Sequence, residues 1–110
     1  MGKYRSRIEI VAEILRTVSG GARKTHIMYQ CNLSFKLLMR YLRDVIQAEL
    51  ICEGGEGNNY VITEKGKKFL RKFEEYVERS ERVSHEVDAV NNEKSILETM
   101  TSGERRLDSL

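Results

Sequence analysis

Lys36, Arg40 and Arg43 stand four and three residues apart, a spacing that brings all three to one face of an α-helix. A row of ammonium and guanidinium groups is suited to polyanions: it can hold phosphate oxygens, and arginine can also take two acceptors on one base edge. A second basic group, Arg23 and Lys24 followed by Thr25 and His26, surrounds the expected start of a short helix, where free amides and side-chain charge would both favour a phosphate. Ser34 can cap the helix that carries the three cations, donate to a phosphate, or do both. Lys65 begins a further run with Lys67, Lys68, Arg71 and Lys72, which would strengthen nonspecific attraction to a polyanion. Asn58 and Asn59 end a glycine-rich loop; they can reach a ligand, although turn formers there need no other role.

Other chemistry lacks its constellation. His26 and His85 fall in different segments, no nucleophile sits beside a base, and no carboxylates pair in a plausible cleft, so no enzyme is expected. Cys31, Cys52 and His26 match no familiar metal spacing, and no cofactor, metal or small-molecule ligand is expected. Two cysteines give no disulfide framework. They are read as small, half-buried apolar residues, with a bridge between them as the alternative.

In a chain of 110 residues, 33% are charged and none is proline, which suits long solvated helices better than many short strands. The charge is unevenly spread. Residues 1–72 hold 14 Lys and Arg against 7 Asp and Glu, a net +7; residues 73–110 hold 5 against 10, a net −5. A basic head on an acidic stalk fits a polyanion-binding module. No apolar run of about 18 residues is present, and the start MGKYRSRIEIV has charge without the apolar stretch of a signal peptide. The expectation is a cytoplasmic, nucleoid-associated protein with no membrane partner.

The elements that must position these residues follow from periodicity. Ile8, Val11, Ala12, Leu15 and Val18 form the inner stripe of a first helix over 5–18, stopped by Ser19-Gly20-Gly21. Thr25 is the expected N-cap of a second helix over 25–31, with Ile27 and Met28 inward, and Asn32-Leu33 makes a turn. Ser34 caps a third helix running to about Ala48, whose buried stripe is predicted as Phe35, Leu38, Leu42 and Val45. Leu50–Glu53 and Tyr60–Thr63 read as the strands of a β-hairpin around the loop 54–59. Thr63 then caps a long fourth helix.

Helix, helix, turn, helix, hairpin, helix is the order of a winged helix-turn-helix domain. The stretches Gly21-Ala22-Arg23-Lys24-Thr25-His26-Ile27-Met28-Tyr29, Asn32-Leu33-Ser34-Phe35 and Tyr60-Val61-Ile62-Thr63-Glu64-Lys65-Gly66 resemble an archaeal winged-helix family. That family includes the small ten-kilodalton Sulfolobus chromatin-associated DNA-binding proteins. The resemblance spans roughly residues 5–97 and implies a DNA-binding dimer joined by an antiparallel coiled coil, with one winged-helix head at each end.

The fourth helix supports that arrangement independently. Phe69, Phe73, Tyr76, Ser80, Val83, Val87, Val90, Lys94 and Leu97 alternate spacings of four and three, a heptad repeat over a helix reaching roughly 50 Å at about 1.5 Å per residue. With Phe73, Ser80, Val87 and Lys94 at a, a parallel pairing sets Lys72 against Val77, Arg79 against Ser84 and Glu93 against Glu98. An antiparallel pairing centred between Glu81 and Arg82 sets Lys72 against Glu93 and Arg79 against Glu86, each twice. The dimer interface is therefore expected at Phe69, Phe73, Tyr76, Val77, Ser80, Val83, Val87, Val90 and Leu97. A helix folded back on its own head is the alternative.

The expected organisation is thus a mainly α protein with a small β-hairpin: a winged helix-turn-helix head over 1–66, a dimerisation helix over 67–97, and a polar tail over 98–110 that frays. The third helix would read double-stranded DNA as the second helix of the motif, with candidate contacts at Arg23, Lys24, Thr25, His26, Ser34, Lys36, Arg40, Arg43, Asn58, Asn59 and Lys65. The hairpin carries Glu53 and Glu56 instead of cations, so insertion of a basic wing is not expected. Transcriptional regulator and chromatin organiser are both open, and a winged-helix protein-interaction module is the alternative to DNA binding.

Overall fold

The computed structural model describes the backbone of residues 5–55 and 59–108 and the side chains as far as 102. It divides into two units, Met1–Glu74 and Glu75–Leu110. In the first unit, α1 (Arg7–Thr17) opens with a reciprocal cap: the Ser6 hydroxyl accepts from Glu9 N–H while the Glu9 carboxylate accepts from Ser6 N–H at 2.7 Å. Two otherwise unpaired donors are thereby satisfied. Ile10, Val11, Ala12, Ile14 and Leu15 are buried. Ile8, expected on that stripe, is 43% exposed. Its angle around the helix lies within the buried arc; its place in the first turn leaves it open.

A 3-10 turn, Val18–Gly20, leads through Gly21, whose φ of 91° is open to glycine without strain, into β1 (Ala22–Arg23). This two-residue strand, absent from the sequence reading, pairs antiparallel with β3 (Asn59–Ile62), which also pairs with β2 (Ile51–Glu53). The sheet order is β1-β3-β2, so the expected hairpin is the larger part of a three-stranded sheet.

Between α2 (Lys24–Gln30) and α3 (Phe35–Gln47) four residues each do a separate job. Cys31 ends α2 and Asn32 takes φ 54°, a conformation asparagine adopts more readily than most residues. Asn32 N–H donates to Tyr29 O and Leu33 N–H to Met28 O, the paired bonds that close a helix with a left-handed residue. Leu33 is then buried, and Ser34 caps α3 by accepting from Leu37 N–H at 3.2 Å. Arg5 finishes the corner, donating to Cys31 O at 2.8 Å and pairing with Glu13.

α3 buries Leu38, Leu42 and Val45. Phe35, expected with them, is 59% exposed. Like Ile8 it has the right angle, but as the first residue of its helix it lies beyond the end of the core. α3 closes as α2 does, with Glu49 at φ 65° and Leu50 N–H donating to Val45 O. Ile27, Ile51, Tyr60 and the α1 and α3 residues make one core, against which Phe69 and Leu70 pack.

α4 (Glu64–Asp108) starts at Thr63, whose hydroxyl accepts from Gly66 N–H at 3.0 Å and donates to the end of α3 at Glu49 O, 2.6 Å. Gly66 is required there: a Cβ would overlap the Leu50 carbonyl and lie 2.7 Å from Ile62 Cγ1. Phe69 and Phe73 stack with ring centroids 6.4 Å apart, and the Arg16 guanidinium lies 5.7 Å from the Phe73 centroid. Phe73 is consequently 8% exposed in the single chain, so the head already covers a position that the heptad assigns to the dimer seam.

In the second unit the described side chains are exposed apart from the half-buried Val77, including Tyr76, Val83, Val87, Val90, Ile96, Leu97 and Met100. Glu78 and Arg82 pair at 3.9 Å. The helix passes Leu97 and continues to Asp108, over most of the segment expected as a fraying tail. No helix among the described residues is long and apolar enough to cross a membrane.

Candidate nucleic-acid interface

With Leu38, Leu42 and Val45 inward, the three-and-four spacing turns Lys36, Arg40 and Arg43 outward, and all three are exposed. They share with Ser34, Leu37 and Met39 the lining of one shallow, open depression. Among the described residues none of the three cations has a salt bridge, in contrast to Arg7, which pairs with Asp44 at 3.3 Å and lies over the Tyr41 ring. The outward face of α3 therefore carries three uncompensated positive charges held on a capped helix.

The second basic group is less concentrated. Arg23 belongs to β1, opposite Asn59 in the register, and also stands at the N-cap position of α2 with extended backbone and no side-chain capping bond. Thr25, expected as that cap, is instead inside the helix, because the strand feeds Arg23 directly into the cap position. Thr25 and His26 are exposed and Lys24 is half-buried. α2 has only seven residues, so attraction for an anion there rests on Arg23 and Lys24 more than on a helix dipole.

Lys65 is brought to the other end of α3, where its ammonium donates to Ala48 O at 2.8 Å. A cation at a helix C-terminus is itself stabilising, and this one is committed to the protein. Asn59 sits at the root of the wing: its carbonyl accepts from Gly54 N–H at 2.6 Å, and a Cβ on Gly21 or Gly54 would lie 3.2 or 3.3 Å from its amide nitrogen. Its structural use is thus explicit. Asn58, with the rest of the tip 56–58, lies outside the described residues. Glu53, on the described part of the wing, is exposed.

Three residues that the sequence does not mark as contacts also face outward near these groups: Tyr29 on α2, 78% exposed, Met39 on α3, and Phe35 on α3, which was expected in the core. For Phe35 the signal lay in the helix end, since a residue in the first turn can share the angle of the core stripe and still fall outside the core. Tyr29 and Met39 instead stand about 200° and about 100° around their helices from the buried Ile27 and Leu38, away from the core stripe.

Cys31 and Cys52 are free thiols, one buried and one exposed. Burial raises the Cys31 pKa above its ordinary value, Glu13 adding to the rise, while a hydrogen bond with Thr17 and the charge of Arg5 oppose it. Among the described residues no group of three or more His, Cys, Asp and Glu side chains is placed to hold a metal ion.

Three helices, a cap-to-cap turn between the second and third, and a three-stranded sheet with a wing define a winged helix-turn-helix protein. The chain belongs to the winged helix-turn-helix family, whose model matches residues 4–81. Its structure is similar to the crystal structure of Sso10a-2, a DNA-binding protein from Sulfolobus solfataricus, with a TM-score of 0.72, 24% sequence identity, and coverage of 80% of this chain and 95% of that one. No curated protein matches the chain.

Proposed function

We propose that this chain is a non-enzymatic, dimeric protein that binds double-stranded DNA by presenting α3 to the major groove. The observation that carries the reading is the exposed row Lys36, Arg40 and Arg43, with no salt bridge among the described residues, on the helix that follows the turn of the motif. Their charge matches phosphates, and an α-helix matches the width of the groove. The similarity to a DNA-binding protein of Sulfolobus agrees with it. Arg23 and Lys24 add flanking phosphate contacts, and Lys67, Lys68, Arg71 and Lys72 strengthen nonspecific attraction.

Dimerisation is supported by the exposed apolar side chains of α4. Full burial of a Val or Leu contributes about 1.5–3 kcal/mol, so Val83, Val87, Val90 and Leu97 supply most of the association energy. The antiparallel pairs Lys72 with Glu93 and Arg79 with Glu86 contribute a few tenths each and select direction. Because the head covers Phe73 and packs against Phe69, the seam exposed on both copies in this register runs from Tyr76 to Val87, and Val90 and Leu97 lie opposite positions 73 and 66 of the second copy. Two heads joined in this way can read two half-sites or bridge duplexes.

Titrating the protein against random and genomic duplexes at several salt concentrations, with light scattering for mass, tests the proposal. The expected result is a dimer whose affinity falls steeply with salt. A large preference among genomic fragments identifies a regulator, and uniform binding an organiser. A monomer that binds no duplex at low salt refutes the reading and leaves a protein-interaction module.

A further inference from the structure

The basic face of α3 has an apolar border. At about 100° per residue, Met39 lies between Phe35 and Arg43 around the helix, and Met39 shares the depression lined by Lys36, Arg40 and Arg43. Phe35 is 59% exposed and Met39 38%. Neither is a frayed end, since Ser34 caps the first turn and the buried Leu33 anchors the residue before it. A surface that satisfies the cations and also covers this border must present apolar groups set among negative charges. In the major groove of DNA the C5-methyl of thymine is such a group, and phosphates flank it on both sides.

We propose that α3 discriminates bases through thymine methyl groups, which Phe35 and Met39 cover while Lys36, Arg40 and Arg43 hold phosphates. The inference rests on the DNA-binding reading above and gives it a base preference, for A·T over unmethylated G·C. The N-terminal residues of a recognition helix are those that meet base edges, and Phe35 is the first residue of α3. The competing occupant is an acidic protein surface with an apolar centre.

The test needs no known operator. The full-length protein is titrated with an alternating A·T duplex, in which every pair carries a methyl, and with the same duplex containing uracil for thymine. Loss of each covered methyl is expected to weaken binding about fourfold, the equivalent of about 0.8 kcal/mol. Methylating C5 of cytosine in an alternating G·C duplex should restore affinity by a similar factor per methyl. Phe35→Ala and Met39→Ala should bring both ratios towards one, whereas Lys36→Ala should weaken binding to every duplex alike and keep the ratios. Both apolar positions are partly exposed, and thermal melts of the variants would establish that they fold. Salt-dependent binding with a thymine-to-uracil ratio of one overturns the inference and leaves DNA binding standing. Absence of binding to any duplex overturns both.

Discussion

If α3 holds phosphates, its three cations set a measurable part of the salt dependence. Each phosphate neutralised on B-DNA contributes about 0.9 to the slope of log affinity against log salt. Lys36, Arg40 and Arg43 have no salt bridge among the described residues, so each has its full charge available, and the triple alanine variant should lose about 2.7 from the slope. Between 0.2 M and 0.05 M salt the wild type should therefore gain about fortyfold more affinity than the variant. Arg7→Ala is the control. Its guanidinium is committed to Asp44 and Tyr41, and its removal should change the slope by much less than one contact. Fluorescence anisotropy of a labelled 20-base-pair duplex at four salt concentrations gives both slopes, and circular dichroism shows whether the variants keep their helices. Equal slopes for wild type and triple variant would refute the assignment of this face to the phosphate backbone. A drop for Arg7→Ala as large as for any α3 cation would refute the argument from uncompensated charge.

Other substitutions test the fold and its assembly. Gly66→Ala must displace the Leu50 carbonyl or the start of α4 and should destabilise the head by about 3 kcal/mol or more, measured by urea unfolding. Glu49→Gly, at φ 65°, should stabilise it by about 1 kcal/mol by relieving a left-handed non-glycine residue. Replacing Val83 and Val90 with glutamate should yield monomers in sedimentation without lowering head helicity, because both side chains are exposed in the single chain. Burial raises the Cys31 pKa above its ordinary 9.0. In alkali the unfolded chain then releases that proton first, so stability should be unaffected by this group at neutral pH and decline as pH rises past about 9. A thiol reagent at pH 8 should modify Cys52 alone until the protein unfolds.

Where the sequence was readable, the reason was local hydrogen bonding or sustained periodicity. Ser34 was identifiable as a cap because its hydroxyl and the amide three residues on are fixed by the chain itself, and Thr63 for the same reason. Periodicity gave Leu38, Leu42 and Val45 their angle, and with it the opposite face of Lys36, Arg40 and Arg43. It could not say where along each axis the core ends, which is why Ile8 and Phe35 were expected inside. β1 is two residues long and made by pairing with a strand more than thirty residues away, so no local pattern marks it. With it came the misplaced cap of α2, since Arg23 occupies that position only because it leaves a strand. Lys65 reads as one more cation in a basic run; its bond to Ala48 O depends on the approach of α4 to the end of α3.

The turn between α2 and α3 links the fold to the proposed reading of bases. Discrimination by a methyl group demands that the covering side chain keep its position to within a fraction of its own radius, which a flexible helix end cannot do. Here Asn32 ends one helix, Leu33 enters the core, and Ser34 caps the next, all within three residues. Arg5 ties the carbonyl of Cys31 to α1 through Glu13. The Cys31, Asn32 and Leu33 N–H groups, the Cys31 and Asn32 carbonyls and Leu37 N–H all have partners, so the first turn of α3 is held from both sides. The same corner that the folding of the head requires for burying Leu33 therefore holds Phe35 outward on rigid backbone. An exposed aromatic costs little in an arrangement of this kind and gains a use only when a ligand with apolar groups among its charges approaches the basic face.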